Sequence, residues 1–121
     1  MAKNVSHPNI PVCKAVTTLG PTGQVTFYGP NVQDNSLQVT IHGAAAVSGT
    51  VNIEVSNDGI GWLSDSNSQF VLSSNVVVPG NPASIAYVAT AAFTSTVPWT
   101  YVRANIVALG AGSAVTVTVA G

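Results

Sequence analysis

The chain predicts an all-β fold, an antiparallel two-sheet β-sandwich or jelly roll of about eight strands with an extended N-terminal arm. Three observations predict it. Apolar and polar residues alternate with period two over most of the chain after residue 23. Clusters of Gly, Pro, Asn and Ser interrupt the alternation at the spacing expected of short strands. No segment carries the three-to-four residue apolar repeat and caps of a helix.

Residues 1–22 contain Pro8, Pro11 and Pro21 among short apolar residues. Proline fixes φ and removes a backbone donor, so three of them exclude a helix and disfavour a central strand. The segment reads as an arm, lying along its own domain or reaching over a neighbour, with the sandwich occupying 23–121. Val5, Ile10, Val12 and Val16 are its apolar anchors and the candidate intermolecular contacts.

The strands follow in order. Gln24–Tyr28 alternates around Val25 and Phe27 and ends at Gly29-Pro30-Asn31. Ser36–His42 places Leu37, Val39 and Ile41 on one face, and Thr50–Ser56 does the same with Val51, Ile53 and Val55. Phe70–Leu72 and Val76–Val78 read as short strands before the Pro79-Gly80-Asn81-Pro82 turn. Ser84–Thr90 carries Ile85, Tyr87 and Ala89 on one face. Tyr101–Ala108 and Ala114–Ala120 close the chain, the last with Val115, Val117 and Val119 aligned. The alanine-rich stretches at 44–47 and 88–93 are short, uncapped and surrounded by β-branched residues, so they read as strands or loops. Each strand has one apolar and one polar face, so the polar faces should point outward.

Charge is scarce. Lys, Arg, Asp and Glu make up 6% of 121 residues, with a net charge of −1, against roughly 25% in an ordinary soluble domain. Ser, Thr, Asn, Gln and Gly take the vacated positions. Such a surface repels its neighbours weakly and suits a protein that works packed against copies of itself or a partner. The plainer alternative is a neutral β-domain with no special partner. Lys3, Lys14 and Arg103 are too few to track phosphates, so nucleic acid is not an expected partner. No apolar run reaches the ~18 residues of a membrane span, and none is expected to engage a membrane. The N-terminus lacks the apolar core of a secretory signal, and Cys13 is the only cysteine. Both suit synthesis in a cytoplasm, with Cys13 as a small apolar contact.

Catalytic patterns are missing from the sequence. His7 and His42 are far apart and neither has metal-ligand spacing to Cys13 or an acid. Of the four acids Asp34, Glu54, Asp58 and Asp65, only Glu54 and Asp58 are close. There is no nucleophile elbow or P-loop, and GAGSA at 110–114 lies between strands with no helix behind it. No enzymatic activity, cofactor or metal is expected.

The stretch EVSNDGIGW, 54–62, is the most motif-like. Asn57, Asp58 and Gly59 tolerate the positive φ of a tight turn, and Trp62 begins the return strand as an aromatic plug. Glu54 points to the polar face, and Arg103, on the polar face of YVRANIVA, is its candidate cross-strand partner, setting register. The alternative makes this a ligand-binding loop, with Trp62, Trp99, Tyr101 and Tyr28 as stacking platforms and Asp58 and Arg103 bonding hydroxyls.

SNDGIGW followed by PWTYVRANIVAL and a final Thr/Val-rich strand resembles a pattern in small tailed-bacteriophage virion proteins. A similar S-x-D-G-x-x-W…Y-V-R arrangement occurs in discoidin-like β-sandwich domains, where ligands are met mostly by separate loops. The likeness covers mainly residues 51–121. It implies a structural protein of a virion, expected on the capsid surface after synthesis in the host cytoplasm. Within that class a capsid decoration, or cement, protein is expected, partnered by the major capsid protein and by copies of itself as a homotrimer. The alternatives are a tail or baseplate module that binds host carbohydrate, and a head–tail adaptor or tail-tube component.

Overall fold

A computed structural model describes residues 10–26, 35–64, 68–95 and 99–120. Among these residues nine strands form two antiparallel sheets: β1 (Ile10–Val16), β2 (Gly20–Pro21), β3 (Val25–Thr26), β4 (Asn35–Gly43), β5 (Val47–Ser56), β6 (Gln69–Ser74), β7 (Tyr87–Ser95), β8 (Tyr101–Leu109) and β9 (Ala114–Ala120). One sheet, here sheet A, has the order β1-β9-β4-β7. Sheet B has the order β2-β8-β5-β6, with β3 also on β8. The chain is therefore the all-β sandwich that the alternation predicts.

The core is the space between the sheets. Leu37, Val39 and Ile41 of β4 and Val115, Val117 and Val119 of β9 line it from sheet A. Val51 and Ile53 of β5 and Val102, Ala104 and Ile106 of β8 line it from sheet B. All eleven are buried at 1% exposure or less. β-Branched side chains suit this layer because they pack stiffly on a pleated surface. Two glycines let the layers and turns close. A Cβ at Gly49 would lie 2.8 Å from Ile41 Cδ1, and one at Gly43 would lie 2.6 Å from the carbonyl oxygen of Gly112.

Of the two courses open to the proline-containing segment, its described part takes the one along its own domain. From Ile10 it is an edge strand of sheet A, paired antiparallel with β9. Register shifts on either side of Cys13 allow the consecutive residues Val12 and Cys13 both to face the core. Pro11 sits at the edge, where a missing N–H costs no ladder bond. The chain then crosses to sheet B, where Gly20–Pro21 pairs with β8 and Thr22 exchanges bonds with Ala104. Ile10, Val12 and Val16, read as contacts between chains, thus pack on the core of their own domain. Val5 lies outside the described residues.

Two other boundaries move. Val76–Val78 makes only a single bridge, Val77 to Tyr87, with the Val78 N–H donating to Ala86 O at 2.7 Å. The stretch beginning at Ser84 opens as a 3-10 turn, Ala83–Ile85, and the strand starts at Tyr87. Pro82 has no N–H for a ladder, and Asn81 Nδ2 donates to Ile85 O at 3.1 Å, which holds the turn.

Candidate functional site

Two surface regions gather the polar chemistry of the described residues. The first is built on the 54–62 stretch. Val55 and Leu63 exchange both backbone bonds at 2.9 Å, closing a loop between them. Inside it, Ser56 and Asp58 satisfy the turn. Asp58 Oδ1 accepts from Ser56 Oγ at 2.9 Å and from the N–H groups of Ile60 and Gly61 at 2.8 and 2.9 Å. Ser56 Oγ accepts from the N–H groups of Asp58 and Gly59. Gly59 takes φ +74°, the left-handed region where a side chain is disfavoured. The Ile60 amide, then the Gly61 amide and the Ser56 hydroxyl, hold the Asp58 carboxyl below its ordinary range. Asn57 Oδ1 ties the loop to β8 by accepting from Thr100 N–H and Oγ1.

Next to the loop, Glu54 and Arg103 are direct cross-strand neighbours. Arg103 Nε donates to Glu54 Oε1 at 2.7 Å, and Asn105 Nδ2 donates to Glu54 Oε2 at 3.1 Å. The Arg103 guanidinium lies over the Trp62 ring, 4.2 Å from its centroid. Trp62 therefore covers an ion pair on the outer face of sheet B, where the sequence suggested a plug for the turn. Trp99 packs against the core, Tyr101 shares the outer face with Arg103 by strand alternation, and Tyr28 lies outside the described residues. The acids Asp34 and Asp65, and His7, also lie outside them.

The second region is the outer face of sheet A. Alternation along β4 and β9 turns Ser36, Gln38, Thr40 and His42, with Thr116 and Thr118, away from the core. The register sets these side chains in rows: Thr40 stands between Thr90 of β7 and Thr116 of β9, and Gln38 between Ala92 and Thr118. A groove of about 620 Å³ runs over this face, with Thr40, His42, Thr116 and Thr118 on its floor. Lys14 and Ala15 wall it on one side and Ile85 and Val88 on the other. A second hollow of about 360 Å³ adjoins it and shares Gln38 and Thr118. Thr116 organises the groove. Its Oγ1 accepts from the Ala15 N–H at 2.9 Å and shares a 3.0 Å hydrogen bond with His42 Nε2, whose direction follows the imidazole tautomer. Ala15 holds φ 51°, unusual for a residue with a side chain, at the bulged end of β1.

The chemistry of this groove is that of neutral hydrogen-bonding groups beside small apolar ones, with one ammonium, Lys14, at the rim. Both described acids, Glu54 and Asp58, belong to β5 and its loop in the other sheet, so neither orients His42. Cys13 is buried behind the groove, and burial pushes its thiol up from the ordinary value. The alternation places the threonines on polar faces, but only the strand order reveals that Thr40, Thr90 and Thr116 form one row. The chain matches no family model, and neither the curated proteins nor the solved structures compared with it provide a match.

Proposed function

We propose that this chain is a non-enzymatic structural protein of a virion, a capsid decoration protein that docks across neighbouring capsid subunits through the outer face of sheet A. One observation carries the reading: the charge balance of the described surface leaves that face nearly neutral. Of the four charged residues described, Glu54 and Arg103 neutralise each other, Asp58 is committed to its own turn, and Lys14 alone borders the groove. Burying hydroxyls, amides and small apolar groups against a partner costs far less than burying charges, because each hydroxyl can find a neutral hydrogen-bond partner. A protein that binds only the assembled shell stabilises it by mass action, without chemistry. The likeness of SNDGIGW…YVRANIVAL to phage virion proteins supports the choice of a shell as the partner.

Electron microscopy of virions labelled with antibody to this chain tests the proposal. Label over the head surface is the expected result, and its loss is expected in Gln38→Arg/Thr118→Arg, which places charge in the face. Label confined to the tail, or no label on the particle, overturns it.

A further inference from the structure

Among the described residues the sandwich has four edges, and two are blunted in ways that oppose strand addition. Edge β1 carries Pro11, Lys14 and two register shifts. Edges β2 and β3 are two residues each. Edge β6 is uncharged but only six residues long. Edge β7 is the longest. It runs nine residues, YVATAAFTS, with no proline, glycine or charged residue. It pairs with β4 in unbroken register from Asn35–Ser95 to Gly43–Tyr87. Among the described residues, its outer side has one partner, the Val77 bridge at Tyr87.

The core is also open along this edge. Ala89, Ala91 and Phe93 point inward but are only half-buried, while their partners Ile41, Val39 and Leu37 in β4 are at 0, 0 and 1% exposure. We infer that β7 is an assembly edge, and that it pairs antiparallel with the β7 of a second copy across a two-fold axis. This inference goes beyond the proposed virion role and does not depend on it.

The strand is complementary to itself. Opposed residues in an antiparallel pair share a face, so a register centred on Ala91 sets Ala89 against Phe93 of the second copy, small against large, and Thr90 against Ala92. No like charges meet, because the strand has none, and a strongly charged partner would find nothing to neutralise it. The β4–β7 ladder continues into β7 of the second copy, and sheet A becomes one eight-stranded sheet. The product is a dimer, where the sequence suggested a trimer.

Light scattering on the purified full chain tests this. The expected mass is twice 12.2 kDa. Thr90→Lys/Ala92→Lys places introduced lysines opposite each other at two positions, and should weaken the dimer about tenfold or more. Mixing it with Thr90→Glu/Ala92→Glu should restore a one-to-one heterodimer. Both sites lie on the exposed face, and the thermal midpoint of each variant checks folding. Hydrogen exchange on the unaltered chain provides a second measurement: β7 amides should gain protection as protein concentration rises. A monomeric mass up to ~1 mM, a trimeric mass, an undiminished dimer in the lysine variant, or concentration-independent β7 exchange each overturns the inference.

Discussion

Arg103 reaches Glu54 across β8 and β5 with a 2.7 Å bond from Nε while its guanidinium lies 4.2 Å from the centre of the Trp62 ring. The ion pair is partly buried, with the two side chains 24% and 13% exposed. Its geometry uses the planar guanidinium twice, once as a donor and once as a stacking plate. A lysine ammonium, a point charge with no plane, cannot donate from one edge while stacking its face on the ring.

Arg103→Lys should therefore destabilise the fold by about 1–2 kcal/mol, and Glu54→Ala by about 1–3 kcal/mol, because each leaves a partly buried charged group short of a partner. Urea unfolding measures both. A double-mutant cycle on Trp62 and Arg103 should give a coupling of about 0.5–1 kcal/mol. Zero coupling would show that the stack is only proximity.

Asp58 should titrate below its ordinary value of 3.8. The folded value is lowered, so the native state binds fewer protons than the unfolded chain through the ordinary carboxylate range. The stabilisation is fully present above that range and disappears as pH falls through the folded value. In NMR titrations the amide shifts of Ile60 and Gly61 should follow the carboxyl, and Asp58→Asn should abolish the step. A midpoint at or above 3.8 contradicts the hydrogen-bond arrangement.

Gly43→Ala should cost about 1–3 kcal/mol, as overpacking does in a close-packed core. The new Cβ would lie 2.6 Å from the backbone oxygen of Gly112, which cannot rotate aside as a side chain can. Gly61→Ala meets nothing within 4 Å and serves as the control. Thermal unfolding of the two variants should separate clearly.

Leu37→Ala removes one of the largest fully buried side chains, 1% exposed beneath sheet B. A loss of about 2–5 kcal/mol is expected, the range for cavities that cannot collapse. Calorimetry measures it. Val71→Ala on the exposed outer face of β6, where Val71 is 75% exposed, should change stability by less than ~0.5 kcal/mol.

The alternation of Leu37-Val39-Ile41, Val51-Ile53 and Val115-Val117-Val119 was enough to identify the core and the all-β class, because a period of two is a property of neighbouring residues along one strand. The same local logic identified the Asp58-Gly59 turn and the shared polar face of Glu54 and Arg103. Tertiary structure alone decided which strands are neighbours. β4 lies between β9 and β7, so Thr40, Thr90 and Thr116, far apart in the chain, meet in one row. It also decided the place of the proline-bearing segment. Pro11 argues against a central strand, and only the free edge of β9 converts that local restriction into an edge strand with Val12 and Cys13 in the core. Among the described residues it left the outer side of β7 with one partner, the Val77 bridge at Tyr87, which no residue of YVATAAFTS announces. Strand partnering is settled by chain closure and by packing between distant segments, and neither is written in the pattern of any single strand.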